Sequence, residues 1–328
     1  MRKALSVAPV LFLVLALLLP ACAGSGPAAK SETTTLRVGY VNAPAALFWL
    51  AGQNQKKFEN AGLAITFYPF AQETELIQAI MGGSIDIATM GSATSANLYN
   101  KGVDVKIIQG QLPAPDFMMV PKNSTIASYK DLKGKRVGLP GLAGTTAIVE
   151  KYLMKSAGLD LDKDVRFVDG PPPVLVQFAD KGDIDAFPAW EPNASVALAT
   201  GRYKIAMSGG EEWKKDTGKE PWIHGVTVVK GDFLAKNPNT VRKVLQIERE
   251  MIEWVNNNPK EAAKIGSEPL KMKPEVIEDS FTRVKLYSRP MTEADKESLR
   301  TLWRIINDST PDAVAGKVPD DKIFASVQ

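Results

Sequence analysis

GGSIDIATMGSA, Gly82 to Ala93, holds Gly83-x-Ile85-Asp86, and KGDIDAFPAWEP, Lys181 to Pro192, holds Gly182-x-Ile184-Asp185, each residue 99 positions further on. Alone, Gly-x-Ile-Asp is an ordinary way for a chain to leave a helix and enter a buried strand. The ordered matches around it carry more. Arg136-Val137-Gly138 follows Arg37-Val38-Gly39 by 99 positions, Gly201 follows Gly102 by 99, and Gly158-Leu159 echoes Gly62-Leu63 at an offset of 96. We therefore read one architectural unit used twice.

The first unit alternates in type. Leu36 to Val41 is a β-rich run, Leu47 to Ala61 is helix-compatible and stops at Gly62, and Leu63 to Phe70 is a second strand. Thr74 to Met81 puts Leu76, Ile77 and Ile80 on one helical face, and Ile85 to Met90 is a third strand. This β-α-β-α-β order predicts a parallel sheet covered by helices. In the second unit, helix Thr145 to Ala157, strand Val165 to Val168 and helix Val174 to Ala179 take the same places.

DFMMV (Asp116 to Val120) and GVTVVK (Gly225 to Lys230) flank the second unit and are candidate crossovers between the two. Beyond them, Asn239 to Asn257 has helical apolar spacing, and Thr292 followed by Asp295 is a capping pattern that opens a helix to Ile306. The expected organisation is a signal peptide over 1–22, a tether over 23–35, a first lobe of 36–121 plus 230–328, and an inserted second lobe of 122–229.

At the N-terminus, Arg2 and Lys3 precede an apolar run from Ala4 to Leu19, which reads as an export signal. The run is shorter than the roughly 20 residues a membrane-spanning helix needs. Cys22 is the single cysteine of 328 residues. LPAC, Leu19 to Cys22, is similar to the site where bacterial lipoproteins are cut and acylated, and plain cleavage nearby is the alternative. AGSGPAAKSETTT, from Ala23, is small and polar and reads as a flexible tether.

Composition removes several functions. Without Arg2 and Lys3, the 40 basic residues fall to 38 against 37 acidic ones, so no nucleic-acid surface is indicated. One histidine, His224, and no cysteine beyond Cys22 leave no paired-His or Cys metal site, and no metal or cofactor is implied.

In open α/β sheets, ligands bind beyond the carboxyl ends of the strands. Four loops then line a cleft between the lobes. The first offers Asn42 and Pro44; the second, Met90 to Ser95, offers Ser92 and Ala93, unless Ser92 is only a helix cap. The third, Leu139 to Thr146, sets Gly144 before Thr145 and Thr146 at a helix start, the best oxyanion candidate in the chain. It lacks the Lys-Ser/Thr ending of a P-loop. The fourth offers Trp190 as a flat wall and Glu191 as a partner for a cation or a helix dipole. His224, at the return crossover, is either a cleft residue or a structural one.

RVGYV from Arg37, FENAGLAITF from Phe58, GGSIDIATMGS from Gly82, SYKDLKGKRVGLP from Ser128, GDIDAFPAWEP from Gly182 and VRKVLQIEREMIEWVNNNPKEAA from Val241 together resemble the substrate-binding proteins of ABC importers. Within these, the chain is similar to the nitrate/sulfonate/taurine group, which also includes binders of thiamine-pyrimidine precursors. The resemblance covers roughly 36–310. It implies an α/β, two-lobed periplasmic-binding-protein-like fold of type II, with the ligand cleft between lobes and two crossovers.

The resemblance further implies a monomeric clamp, exported and held to the membrane by a lipid anchor, that passes a small solute to an ABC permease and its ATPase. Gly144-Thr145-Thr146 occupies the place of the group's oxyanion turn, and Trp190-Glu191-Pro192 matches its Trp-acid-Pro turn, so a sulfonate- or taurine-like anion or zwitterion is expected. Rival readings are an aromatic or thiamine-precursor binder, a ligand-sensing receptor lipoprotein, and a pyrimidine synthase. The lack of a second histidine and of a mature-chain cysteine other than Cys22 opposes the last.

Overall fold

The computed structural model describes residues 32, 35–41, 46–114 and 116–327. The export signal, Cys22, nearly all of the expected tether and Asn42 lie outside the described residues. The first pass comprises β1 (Thr35–Val41), α1 (Ala46–Asn54), α2 (Lys57–Asn60), β2 (Ala64–Phe70), α3 (Glu73–Met81), β3 (Ile87–Gly91), α4 (Ser92–Asn100) and β4 (Val105–Pro113). The second runs through β5 (Asp116–Pro121), β6 (Lys135–Leu139), α5 (Thr145–Ser156), β7 (Val165–Asp169), α6 (Pro172–Asp180), β8 (Phe187–Trp190), α7 (Asn193–Ala199), β9 (Tyr203–Ser208) and α8 (Gly209–Thr217). The chain returns in β10 (Ile223–Lys230), followed by α9 (Gly231–Lys236), α10 (Pro238–Asn257), α11 (Pro259–Leu270), α12 (Pro274–Ser280), β11 (Arg289–Pro290) and α13 (Glu293–Ser309).

The first sheet has the order β2-β1-β3-β10-β4-β11, with β1 parallel to β2 and β3 and with β10 antiparallel to β3 and β4. In the second lobe β7 pairs with β6, and β8-β5-β9 form a ribbon in which β5 is antiparallel to both neighbours. A parallel bridge from Val137 to Ala186 and a Gly138 N–H to Ala186 O bond of 2.9 Å join the two pieces. Both lobes thus share one order, and in each the antiparallel strand is the one that has just crossed from the other.

Hydrogen bonding sets that exchange earlier than the sequence boundaries of 121/122 and 229/230. β5 already belongs to the second sheet from Asp116, and β10 to the first from Ile223. A strand commits to a sheet where its ladder begins, so the two changeovers lie at 113–116 and 217–223. The expected single helix from Leu47 to Ala61 is also divided. Lys56 takes a left-handed conformation, φ 55°, which folds Phe58 back onto Trp49 at 5.8 Å between rings. The expected tether is pinned at one point, where the Glu32 carboxylate accepts the Thr240 N–H (2.8 Å) in the first turn of α10.

The repeat has a physical cause. Asp86 accepts from Arg37 Nε (3.0 Å), Nη2 (2.6 Å) and backbone N–H (2.9 Å); Asp185 accepts from the same three atoms of Arg136 at 3.1, 2.8 and 2.9 Å. Each aspartate ties the start of its lobe's first strand to the start of its third. The preceding glycines turn the chain at φ 73° (Gly83) and 72° (Gly182), a region glycine enters without steric cost.

Two larger cores and a smaller one hold these layers. One joins the faces of both lobes, with Leu299, Leu302, Trp303 and Ile306 of α13 reaching into it; the second lies under α1, α10 and α11. The expected Thr292–Asp295 cap is present, each residue accepting the other's backbone N–H (2.9 and 3.1 Å). From α13, Trp303 Nε1 donates to Ser92 O (3.1 Å) and so fixes the start of α4.

Candidate functional site

α4 and α5 begin with glycine at the cap position, Gly91 and Gly144, so neither helix can cap itself with a side chain. Several of their first N–H groups are satisfied by side chains from outside the helix. Thr145 Oγ1, from the second lobe, accepts the Ala93 and Thr94 N–H groups at 3.1 Å each. The Glu73 carboxylate accepts the Thr145 N–H (2.9 Å), the Thr94 hydroxyl (2.7 Å) and the Gly91 N–H. An oxyanion thus already sits between two helix N-termini, where dipole and N–H donors favour negative charge.

The approach is close. A Cβ added to Gly91 would stand 2.0 Å from Thr145 Oγ1 and 2.7 Å from Glu73 Oε1, and one on Gly144 would stand 3.0 Å from Glu73 Oε2. Ser92 is not the helix cap considered in the sequence reading. Gly91 fills that position, and the wholly buried Ser92 hydroxyl has no hydrogen-bond partner.

A second cluster lies at the crossovers. The Thr146 hydroxyl donates to Asp116 Oδ1 (2.8 Å), and His224 Nδ1 lies 3.4 Å from Asp116 Oδ2 and 3.3 Å from Trp222 Nε1. Burial lowers the His224 imidazole, but the charges of Asp116 and Glu73 outweigh it and leave it above its ordinary value. Beneath, Tyr129 donates to Glu150 (2.8 Å), which is buried. Burial first and Asp116 second push the Glu150 carboxyl up to about 8.

Glu150 therefore retains a proton in the native chain that the unfolded chain releases near 4.5. Its contribution to stability declines as pH rises from about 5 to 8. Glu150→Gln should flatten that decline and be the more stable protein at pH 8.5, by about 2–4 kcal/mol if Gln keeps the Tyr129 contact. His224 falls in the same direction, so melting temperature against pH is compared between variant and wild type. Parallel curves would contradict the assignment.

Trp190 is 8% exposed and pairs across the sheet with Asp116. Glu191 is wholly buried; Ser195 donates to it through N–H (3.1 Å) and hydroxyl (2.7 Å), and Arg283 binds its other oxygen. The cation beside Glu191 is thus the chain's own. Of the residues singled out from the sequence, Ser92, Ala93, Gly144 and Thr145 meet in one place, and Thr146 and His224 meet at Asp116.

Glu73, Thr94, Asp116 and Arg283 were not foreseen. Glu73 opens α3 just beyond the carboxyl end of β2, a fifth loop that the same strand-end rule places at the cleft. A concavity of about 1040 Å³ is lined by Leu142, Lys101, Lys151, Lys155 and Asp312 among others. Among the described residues no group of acidic, His or Cys side chains is placed to hold a metal, and no helix is long and apolar enough to cross a membrane.

Two lobes with exchanged antiparallel strands and facing helix N-termini define the periplasmic-binding-protein fold. The alkanesulfonate-binding protein SsuA of Xanthomonas axonopodis pv. citri, solved with MOPS, superposes at a TM-score of 0.73 over 90% of this chain and 99% of that one, at 19% identity. A Bordetella bronchiseptica protein superposes at 0.75, at 21% identity, over 90% and 95%.

Residues 29–267 match the NMT1-like family, and the chain belongs to it. It is 22% identical over 268 residues to a putative aliphatic sulfonates-binding protein of Bacillus subtilis, spanning 80% of this chain and 78% of that one. To the taurine-binding periplasmic protein of Escherichia coli it is 24% identical, over 56% and 55% of the two chains. These relatives are binding proteins rather than enzymes.

Proposed function

We propose that this chain captures a small sulfonate- or taurine-like solute in the cleft and hands it to an ABC permease. The observation that carries the reading is the carboxylate held by the Thr145 N–H, the Gly91 N–H and the Thr94 hydroxyl, a donor set that suits a sulfonate oxygen equally well. Ligand would favour closure by touching both lobes at once. The names of the relatives support the same solute class.

In this reading the Gly91 and Thr145 N–H groups and the Thr94 hydroxyl grip the oxyanion, with the unpartnered Ser92 hydroxyl beside them, while Ala93 and Gly144 shape the two helix starts. Thr146 acts through Asp116, to which its hydroxyl is committed. A thermal-shift screen of the mature domain against alkanesulfonates, taurine, nitrate and thiamine precursors finds the solute; at 100 times its dissociation constant it adds about 2.7 kcal/mol. Isothermal titration of Thr145→Ala should then show a loss of about tenfold, and Thr146→Ala a smaller one. Affinity untouched by Thr145→Ala, which keeps the backbone N–H and loses only the hydroxyl that ties α4 to α5, would show that this tie does not support the bound state.

We further propose that Cys22 is acylated and anchors the chain outside the cytoplasm, supported by the LPAC sequence and by its being the single cysteine. A Cys22→Ser protein that still fractionates with membranes would rule this out.

A further inference from the structure

Glu73 belongs to the first lobe, yet one of its oxygens is bound to the N–H that opens α5 in the second. The same carboxylate takes the Gly91 N–H and the Thr94 hydroxyl of its own lobe. It therefore bridges the lobes and fills the donor positions that a solute's oxyanion would need. The Ser92 hydroxyl, wholly buried at the first residue of α4 and without a partner, is a donor left over at the same place. Glu73 is only half-buried and rises from the first turn of α3, so its side chain can swing out without unfolding the helix.

We propose that Glu73 is an internal counterpart of the solute's anionic group, a carboxylate latch that holds the lobes together and is exchanged for that group on binding. This rests on the oxyanion reading of the cleft and adds a determinant of specificity. The incoming oxyanion has to displace a charged competitor covalently tethered beside the cradle, whose effective concentration is high. Anions that reach only one donor would then be rejected, while a group whose several oxygens take the N–H and O–H bonds together would succeed. Measured affinity is the intrinsic affinity reduced by the fraction of molecules in which Glu73 has left the cradle.

The test uses the whole mature domain with Glu73→Ala and Glu73→Gln, each first shown to melt cooperatively. Two readouts are taken: the radius of gyration of the ligand-free protein by X-ray scattering, and titration with taurine and short alkanesulfonates. Loss of the latch should open the ligand-free Glu73→Ala protein and tighten sulfonate binding about tenfold or more, with Glu73→Gln between it and wild type because an amide oxygen still accepts. Unchanged scattering together with unchanged or weaker sulfonate binding would overturn the latch. Glu73→Ala opening the protein while no oxyanion binds either form would keep the latch and reject the oxyanion reading. If Glu73→Ala abolishes binding of a cationic or zwitterionic solute instead, the carboxylate is a direct ligand to its ammonium group and the exchange is wrong.

Discussion

Arg283→Ala is expected to destabilise the protein by about 2–3 kcal/mol, lowering its melting temperature by several degrees. Glu191 is wholly buried, and its two oxygens are held by Ser195 on one side and Arg283 on the other. Removing one partner of a buried ion pair leaves a desolvated charge, which costs more than the pair is worth. The figure sits below that for a fully buried pair because Arg283 is 22% exposed and also binds Asp279, and because the Ser195 bonds remain. Arg283 follows α12 in the first lobe, whereas Glu191 follows the second lobe's third strand, so the contact joins the two lobes. Adding Glu191→Gln to Arg283→Ala should recover most of the loss, because the charge no longer needs a partner. A single mutant as stable as wild type, or a double mutant no better than the single, would contradict this.

Gly91→Ala should leave unfolding stability nearly unchanged but weaken solute binding by about 10- to 100-fold. The added methyl would stand 2.0 Å from Thr145 Oγ1, a distance at which something must move. Gly91 has an ordinary extended backbone, φ −70°, so the cost is contact across the cleft and not local strain. Thr145 belongs to the other lobe, and parting the lobes removes that clash; Glu73 of the same lobe, 2.7 Å away, is the end of a flexible side chain that can yield. Overpacking of this kind costs about 1–3 kcal/mol, charged here against closure alone. A Gly91→Ala protein that binds as tightly as wild type would show that the lobes need not approach this closely.

Much of the fold was legible because the chain repeats itself. Asp86 and Asp185 were read as scaffold from their place in a matched series, and each ties down an arginine 49 residues earlier. The crossovers were legible as β-rich runs but not to the residue, since a sequence shows where a strand can form and not which ladder it joins. Of the site, Thr145 and Gly144 could be read because a glycine before two threonines at a helix start exposes donors. What could not be read is where the partners come from. Asp116 claims Thr146, Arg283 claims Glu191 from 92 positions away, and Glu73 claims Thr145 from 72 positions away. Each pairing depends on how the lobes close, which no local pattern encodes.

The crystal structure of the mature domain with the solute found by screening tests the central claim most directly. The account predicts an oxyanion of that solute within hydrogen-bonding distance of the Gly91 and Thr145 N–H groups, with the Glu73 carboxylate moved out of the cradle. A solute seated elsewhere, such as the concavity lined by Lys101, Lys151 and Lys155, with Glu73 still bound to Thr145, would contradict it.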